Sequence, residues 1–520
     1  VEYLKLASYQ IWLYLSILEQ EGRTLPPAGI AKLAELRTCH PQWTLQEGDR
    51  NEFESWMEGG FGEPPIENEN EFIASTDDQI LDRLSAVALS DKDLRRWRHL
   101  LQANLERGIM LLGKLADAGN WHAKVWRAAI EQVGRNEQTL IFWPAIATLL
   151  FRAQDHFLAE IVAPLAYFIK AVRKGHSASS VVGPEDLLWK VWDRIQPHAF
   201  SNSKEEATDY VTSAINRPAG HLTEALLEHC FASDPKGHAD ISEDHWRRIR
   251  LIGEGEGISY IFGRVLLSAF LARLHVLAPV WVEMKLLPRF DVGSSNEAMA
   301  AWQGFLWAPY ITEELWPKIK THFLKSLERL QRVKGTADQS CRVLGMICID
   351  KPDWLSADET RHALRTIEAN GRAIVAQVVW RRLEAAGVKS VALWRDQIGP
   401  WLAQVWPKDR DTRDPLSSLN LALASTTAGE EFASAVDLIV PLLIPAKDCS
   451  QLWIQLEASS LPDREPQATL KLAVAIFDED SSWIHAKLRE VLQRIEKASA
   501  AVSKQPAFQK LDERLRRLRL

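Results

Sequence analysis

Leu94-Arg95-Arg96-Trp97-Arg98-His99-Leu100-Leu101-Gln102-Ala103-Asn104-Leu105 is the stretch whose reading decides the fold. Its apolar residues recur at intervals of three and four, which gathers them on one face of a helix. The same spacing governs Trp121, Val125, Trp126 and Ala129, and again Leu315, Ile319, Phe323, Leu327 and Leu330. Roughly two dozen segments, mostly of about 11 to 20 residues, follow this rule. Strand-like alternation is nearly absent. Val378-Val379-Trp380 and Val391-Ala392-Leu393 are short apolar runs, but each continues a helical stripe. The expected fold is all-α, at least about 60% helix.

Start and stop signals agree. Ser90 to Asp93, Ser203 to Glu206 and Ser356 to Glu359 each place a hydroxyl three residues before an acid, where both side chains can satisfy the free N–H groups of a first turn. Gly183-Pro184-Glu185-Asp186 offers a proline at a first helical position, followed by acids that complement the helix dipole. Trp143-Pro144, Trp316-Pro317 and Trp406-Pro407 each break or restart a helix while the tryptophan stays packed.

So many helices exceed one bundle. Helix pairs that bury each other's apolar faces form a solenoid, and with no tetratricopeptide or ankyrin consensus the expected form is an irregular, HEAT-like helical-repeat array. Composition breaks suggest N-terminal helices over 1–56, an acidic Gly/Pro loop over 57–78, the repeat array over 79–406 and a C-terminal helical subdomain over 407–520. A further break is read at Lys174 to Pro184. Phe61, Ile66 and Phe72 are spaced along the acidic segment, either tucked onto the array or offered to a partner.

The 520 residues carry 62 Lys+Arg against 69 Asp+Glu, a net charge of −7, which gives no footprint for a nucleic-acid binder driven by global charge. Hydrophobic residues at 46% and charged residues at 25% exclude wholesale disorder. Tryptophan is abundant, 21 against 7 tyrosines, and points to large flat side chains wedged between packed helices. Five cysteines without a CxxC pair suit a reducing cytoplasm. Cys341 and Cys348 share a helix face and read as buried small residues. Thr139 to Phe151 is too short for the roughly 20 residues of a membrane span. Ile258 to Val282 is interrupted by Arg264, Arg273 and His275. The chain opens on Val1-Glu2-Tyr3, without a basic leader or an initial methionine, and is expected to be part of a longer protein.

Candidate chemistry is sparse. Gly253-Glu254-Gly255-Glu256-Gly257 misses the spacing of a dinucleotide loop, follows no strand and would set two glutamates against phosphates; a helix end is the plainer reading. His221, Glu224, Glu228, His229 and Cys230 lie on one helix but not on one face, so a metal would need ligands from elsewhere. Phe477 to Trp483 is an acidic turn with no nucleophile, in which Asp480 or Ser481 would cap the next helix. Asp512 to Leu520 is a basic amphipathic helix end, with nucleic-acid or membrane contact as its less favoured use. The residues contain no HExxH, GxSxG or P-loop. No catalytic, cofactor-binding or metal-binding residue is assigned.

Four stretches taken together resemble a known arrangement. They are Ala214 to Leu226; Leu287-Pro288-Arg289-Phe290-Asp291 with Ala301 to Trp307; Trp401 to Pro407 with Phe432 to Leu443; and Pro506 to Leu511. The chain resembles the all-helical C-terminal region that follows a sirtuin-like domain in large bacterial proteins, many from anti-phage defence loci. The resemblance implies a sirtuin-like effector in cis that cleaves NAD, and a helical region that restrains it and senses a phage protein. It also implies that any NAD chemistry lies outside these residues, because the Gly-Ala-Gly loop and the catalytic Asn and His of such a domain are missing from them. In this chain the matched motifs read as structural. Asn216 and Pro218 would end a helix, Gly220 would permit a tight turn, and Trp302, Phe305, Leu306 and Trp307 would form a buried aromatic wedge. A self-associating assembly is an open expectation; membrane contact is not expected. The readings that remain are a non-catalytic scaffold and sensor, the sensor arm of a nucleotide-driven oligomerising switch, a generic protein-interaction scaffold, and an enzyme with an unfamiliar helical site.

Overall fold

A computed structural model describes residues 2–20, 22–45, 68, 70–86, 89–135, 139–178, 185–201, 207–231, 241–291, 296–330, 336–478 and 485–517. Among these the chain is 81% helical with no strand; one isolated parallel bridge joins Ala446 to Phe477. The chain divides into two compact units, Val1–Ala199 and Phe200–Leu520.

The first unit opens with a helical hairpin, Glu2–Gln20 against Pro27–Cys39, closed by an aromatic knot. Tyr9 and Trp12 stack at 5.5 Å, Trp43 meets Tyr9 edge-on at 5.1 Å, and the His40 ring stacks on Trp43 at 3.9 Å. The stretch that decides the fold forms the helix Asp91–Ala103, whose Trp97, Leu100 and Leu101 are buried. Ser90 Oγ accepts from Asp93 N at 3.0 Å, as its spacing predicts. Trp97 Nε1 donates to the Val125 carbonyl at 3.0 Å, so the indole fills the core and also ties two helices together.

The second unit stacks its helices in two rows. In one, Pro218–Phe231, Ile258–Ala269, Asn296–Trp307, Thr336–Asp350, Ala369–Ala386 and Pro415–Thr426 each pack on the next. In the other, Trp316–Leu330, Ala357–Thr366, Gly399–Val405, Phe432–Ile439 and Pro466–Ile476 do the same. This is an all-α helical-repeat fold. Second-row helices such as Trp316–Leu330 are amphipathic, with Ile319, Phe323 and Leu327 inward and lysines outward. First-row helices are buried almost all round. In Pro415–Thr426 even Ser418, Ser425 and Thr426 are inside, each hydroxyl returning its proton to a carbonyl of its own helix at 2.7–2.8 Å.

Arginines stitch the helix ends. Arg372, buried, donates Nη1 to the Ile367 carbonyl at 2.5 Å and Nε to the Thr412 carbonyl at 3.0 Å. Arg107 reaches the Ile73 and Ser75 carbonyls, and Arg494 the Glu457 carbonyl. Each places a positive charge on the orphan acceptors at a helix C-terminus. The Arg372–Thr412 bond also crosses the division expected at 407, which falls inside the second unit.

Several expectations need correcting. The segment 57–78 is not a loop throughout: Glu71–Ala74 is helical, and Thr76 makes a capping box for Asp77–Leu84. Phe72 within it is 0% exposed, so this apolar group is tucked in; 57–67, with Phe61 and Ile66, lie outside the described residues. The break read over Lys174 to Pro184 does not begin at Lys174, because the helix Val162–Ala178 runs on to Ala178; 179–184 lie outside the described residues. The caps read at Ser203, Pro184 and Asp480 lie outside the described residues. Trp307 is 53% exposed and does not belong to the wedge that Trp302, Phe305 and Leu306 form. Gly220 makes no turn: it sits inside Pro218–Phe231, where a Cβ would lie 1.7 Å from the Ala214 carbonyl oxygen. It is there for close backbone approach.

Among the cysteines, Cys39 is exposed and Cys230, Cys341, Cys348 and Cys449 are buried. Burial pushes the Cys348 and Cys449 thiols from 9.0 up to about 12. Since the folded-state pKa is raised, the thiol contribution to stability is intact below pH 9.0 and is lost as the pH rises toward about 12. Ellman's reagent is expected to titrate Cys39 alone in the native chain, and all five thiols in denaturant. Rapid reaction of Cys230, Cys341 or Cys348 would show that the buried helix row opens.

Candidate functional site

An irregular stretch of backbone in the second unit lies between Leu271 and Asp291. Helix Leu271–Leu277 stops at Ala278, Pro279 starts a short turn, Val282–Leu286 widens into a π turn, and Leu287–Phe290 tightens into a 3₁₀ turn. The cause is local. Pro288 has no N–H to give the Met284 carbonyl, and its ring crowds that carbonyl, so the regular ladder cannot continue. The second π turn, Trp394–Ile398, likewise precedes a proline, Pro400.

The irregular segment is anchored from within. Val282, Leu286, Leu287 and Phe290 are buried. The Phe290 carbonyl accepts from Trp302 Nε1 at 3.1 Å, and its ring meets the Trp302 indole edge-on at 4.9 Å. The outer side is left to Val280 and Met284, 66% and 61% exposed, and to Pro288 and Asp291.

Charge surrounds it in pairs. Glu297 is shared by Arg264 at 2.6 Å and Arg289 at 2.5 Å. Burial lowers Arg264 to about 10, opposed by Glu297, so it stays charged at neutral pH. Glu283 pairs with Lys318 at 2.9 Å and His275 at 3.4 Å; the hydrogen bond from Lys318 holds its carboxyl below the ordinary range. Glu254 accepts from Trp281 Nε1 at 2.9 Å and lies 3.6 Å from Lys285. Two open clefts flank the segment. One, about 350 Å³, is lined by Met284, Lys285, Pro288, Arg289, Asp291 and Glu297. The other, about 390 Å³, is lined by Glu283, Leu287, Pro288, Asp291, Lys318 and His322. Pro288 and Asp291 wall both.

The other sequence candidates do not converge on this place. Gly255 and Gly257 end one helix and begin the next, Gly257 at φ +107°, as the plainer reading required. His221 to Cys230 lie along Pro218–Phe231, with the His229 ring 4.4 Å from that of His245. Among the described residues no group of three His, Cys, Asp or Glu is placed to hold a metal. At the basic end Arg516 pairs with Asp512 and Arg517 with Glu513, one turn back, and Leu515 is buried; 518–520 lie outside the described residues. Among the described residues no single helix is long and apolar enough to cross a membrane; Ile258–Ala269 and Leu271–Leu277, apolar together, are bent by 78°.

Leu287 to Asp291 belongs to the resembling stretches and carries no site residue expected from sequence. The available signal was Pro288, four residues beyond Met284.

No family model and no solved structure matches the chain. The chain is similar, at 23% identity over 391 residues, to an uncharacterised protein, y4cA, of Sinorhizobium fredii (strain NBRC 101917 / NGR234). The match takes in 72% of this chain and 31% of that protein, so the chain spans about a third of the length of the curated relative it matches.

Proposed function

We propose that this chain is a non-catalytic helical scaffold that recognises another protein and regulates an effector in the same, longer polypeptide. The observation that carries the reading is the outer side of the Pro279–Asp291 segment. There apolar side chains face solvent on a backbone held rigidly from behind by Trp302 and Phe290. Stacked helix rows offer extended rigid surfaces of this kind, and recognition is their common use. A much longer similar protein favours a region that works alongside other domains.

The narrower version rests on the four resembling stretches. In it the chain is the sensor of a bacterial anti-phage defence protein, the effector is a sirtuin-like domain that consumes NAD, and the trigger is a phage protein. The sensor arm of a nucleotide-driven oligomerising switch is the alternative within the same class.

The test uses the full-length protein in bacteria. Cellular NAD is expected to fall on phage challenge, and deletion of 200–520 is expected to abolish that response or to make the loss constitutive. Unchanged NAD on challenge sinks the narrower version. NAD turnover by the isolated chain sinks the non-catalytic reading itself.

A further inference from the structure

Two first-row helices, Asn296–Trp307 and Thr336–Asp350, end at one corner of the second unit. The connection that leaves the first of them holds Trp307 53% and Tyr310 60% exposed. Neither ring meets another ring or a cation among the described residues. The connection that leaves the second lies beside it. Lys351 Nζ donates to Glu313 Oε1 at 2.8 Å and stands 5.4 Å from the centre of the Trp354 ring. Trp354 stacks on Trp316 at 5.1 Å, and its carbonyl accepts from Trp316 Nε1 at 3.0 Å. Charge at this corner does not cancel. Glu313, Glu314 and Asp353 are three exposed carboxylates, and Lys351 is taken by the first of them. The cations that follow are each held elsewhere: Lys318 by Glu283 at 2.9 Å, Lys320 by Glu359 at 2.8 Å and Arg382 by Asp350 at 2.6 Å. Pairing is one to one, so no carboxylate is shared and no cation is left for Glu314 or Asp353. Those two take no ion pair or hydrogen bond from the described residues.

We infer that Trp307, Tyr310, Glu314 and Asp353 form the docking site for an arginine-bearing segment of a partner protein. The fold already shows this mode of recognition once, in Lys351, which bonds a carboxylate while lying over an indole ring. A second cation at the same corner finds two carboxylates without a counter-charge and two rings without a cover. Tyr310 stands four residues from Glu314, within about 14 Å even with the chain fully extended. A long side chain can therefore lie on a ring and reach a carboxylate. Arginine suits this better than lysine, because its planar guanidinium stacks on an aromatic face and offers a fork to a carboxylate. The surplus of carboxylates turns away nucleic acid and anionic lipid. Rings more than half in water do not enclose a small cation, which leaves a protein segment as the occupant. The inference rests on the scaffold reading above and names, at a surface other than the Pro279–Asp291 segment, the chemistry of what the scaffold recognises.

The experiment selects binders from a yeast-displayed random peptide library on the intact 520-residue chain, then measures the selected peptides by fluorescence anisotropy. They are expected to carry arginine, and replacing that arginine by lysine should weaken binding severalfold, since the charge stays but the stack and the fork are lost. Trp307→Ala together with Tyr310→Ala is expected to lower affinity roughly tenfold, and Glu314→Gln together with Asp353→Asn roughly fivefold. Raising salt should weaken binding to the wild type more than to the variant without the two carboxylates. All four side chains belong to exposed residues, so thermal unfolding should be unchanged, and circular dichroism checks this. Selected peptides without a basic residue, no loss on the change to lysine, binding that either double variant leaves unchanged, or no enrichment at all overturns the inference. Each of these outcomes leaves the scaffold reading standing; NAD turnover by the isolated chain overturns the scaffold reading whatever the peptides do.

Discussion

Trp302→Ala is expected to cost about 3–5 kcal/mol of stability in the second unit, the cost of emptying a fully buried tryptophan site. The indole is 0% exposed. It meets Phe290 at 4.9 Å, Phe305 at 5.8 Å and Phe323 at 6.0 Å. Its Nε1 donates to the Phe290 carbonyl, so truncation also leaves a buried acceptor without its donor, worth about 1 kcal/mol or more. The neighbouring helices cannot close the void, because each is held by its own pair in the row. Trp307→Ala, five residues along the same helix, is expected to change stability by no more than about 0.5 kcal/mol, since that side chain is half in water. Paired thermal melts decide the matter. Equal losses at the two positions would mean that the aromatic wedge is drawn wrongly. The Trp302 variant should also disturb the Pro279–Asp291 surface, since the indole is what fastens Phe290 from behind.

Gly304→Ala is expected to destabilise by about 1–3 kcal/mol or more, although alanine favours helix over glycine by about 1 kcal/mol. The two effects oppose each other, and geometry decides between them. A Cβ on Gly304 would lie 2.1 Å from the Val265 carbonyl oxygen and 2.8 Å from its carbon. Those are backbone atoms of the facing helix Ile258–Ala269, which cannot swing aside as a side chain can. Two first-row helices would have to separate. The control is Gly113→Ala, where a Cβ meets nothing within 4 Å in the helix Leu105–Asp117; there propensity acts alone and stability should rise by about 0.5–1 kcal/mol. Opposite signs at two helical glycines would show that backbone contact, and not helix propensity, placed Gly304. A gain at both would mean that the two helices lie farther apart than described.

Much of the fold was legible because its signals are local. Ser90 and Ser356 cap their helices through an acid three residues on, within a single turn. Leu315 to Leu330 shows its inward face by spacing alone. First-row helices hid their packing. Pro415–Thr426 carries serines and an asparagine that look solvent-facing, yet the Asn420 amide donates to the Ala373 carbonyl at 2.9 Å and the hydroxyls bond their own helix. Trp307 looked like core because it follows Trp302, Phe305 and Leu306. One step along a helix turns a side chain about a quarter of the way round, and that step put it in water.

The candidate surface divides along the same line. The sequence by itself determined that the chain is all-α and that Ser90 and Ser356 cap their helices, because each depends on neighbours a few residues apart. Only the tertiary structure decided that Glu297 belongs to Arg264 and Arg289, that Glu283 belongs to Lys318, and that Asp291 takes no ion pair from the described residues. Nothing in the local run of residues marks Asp291 as different from the other acids. A carboxylate is satisfied or unsatisfied according to which helices the packing brings within a few ångströms of it, and those helices are far apart in the chain.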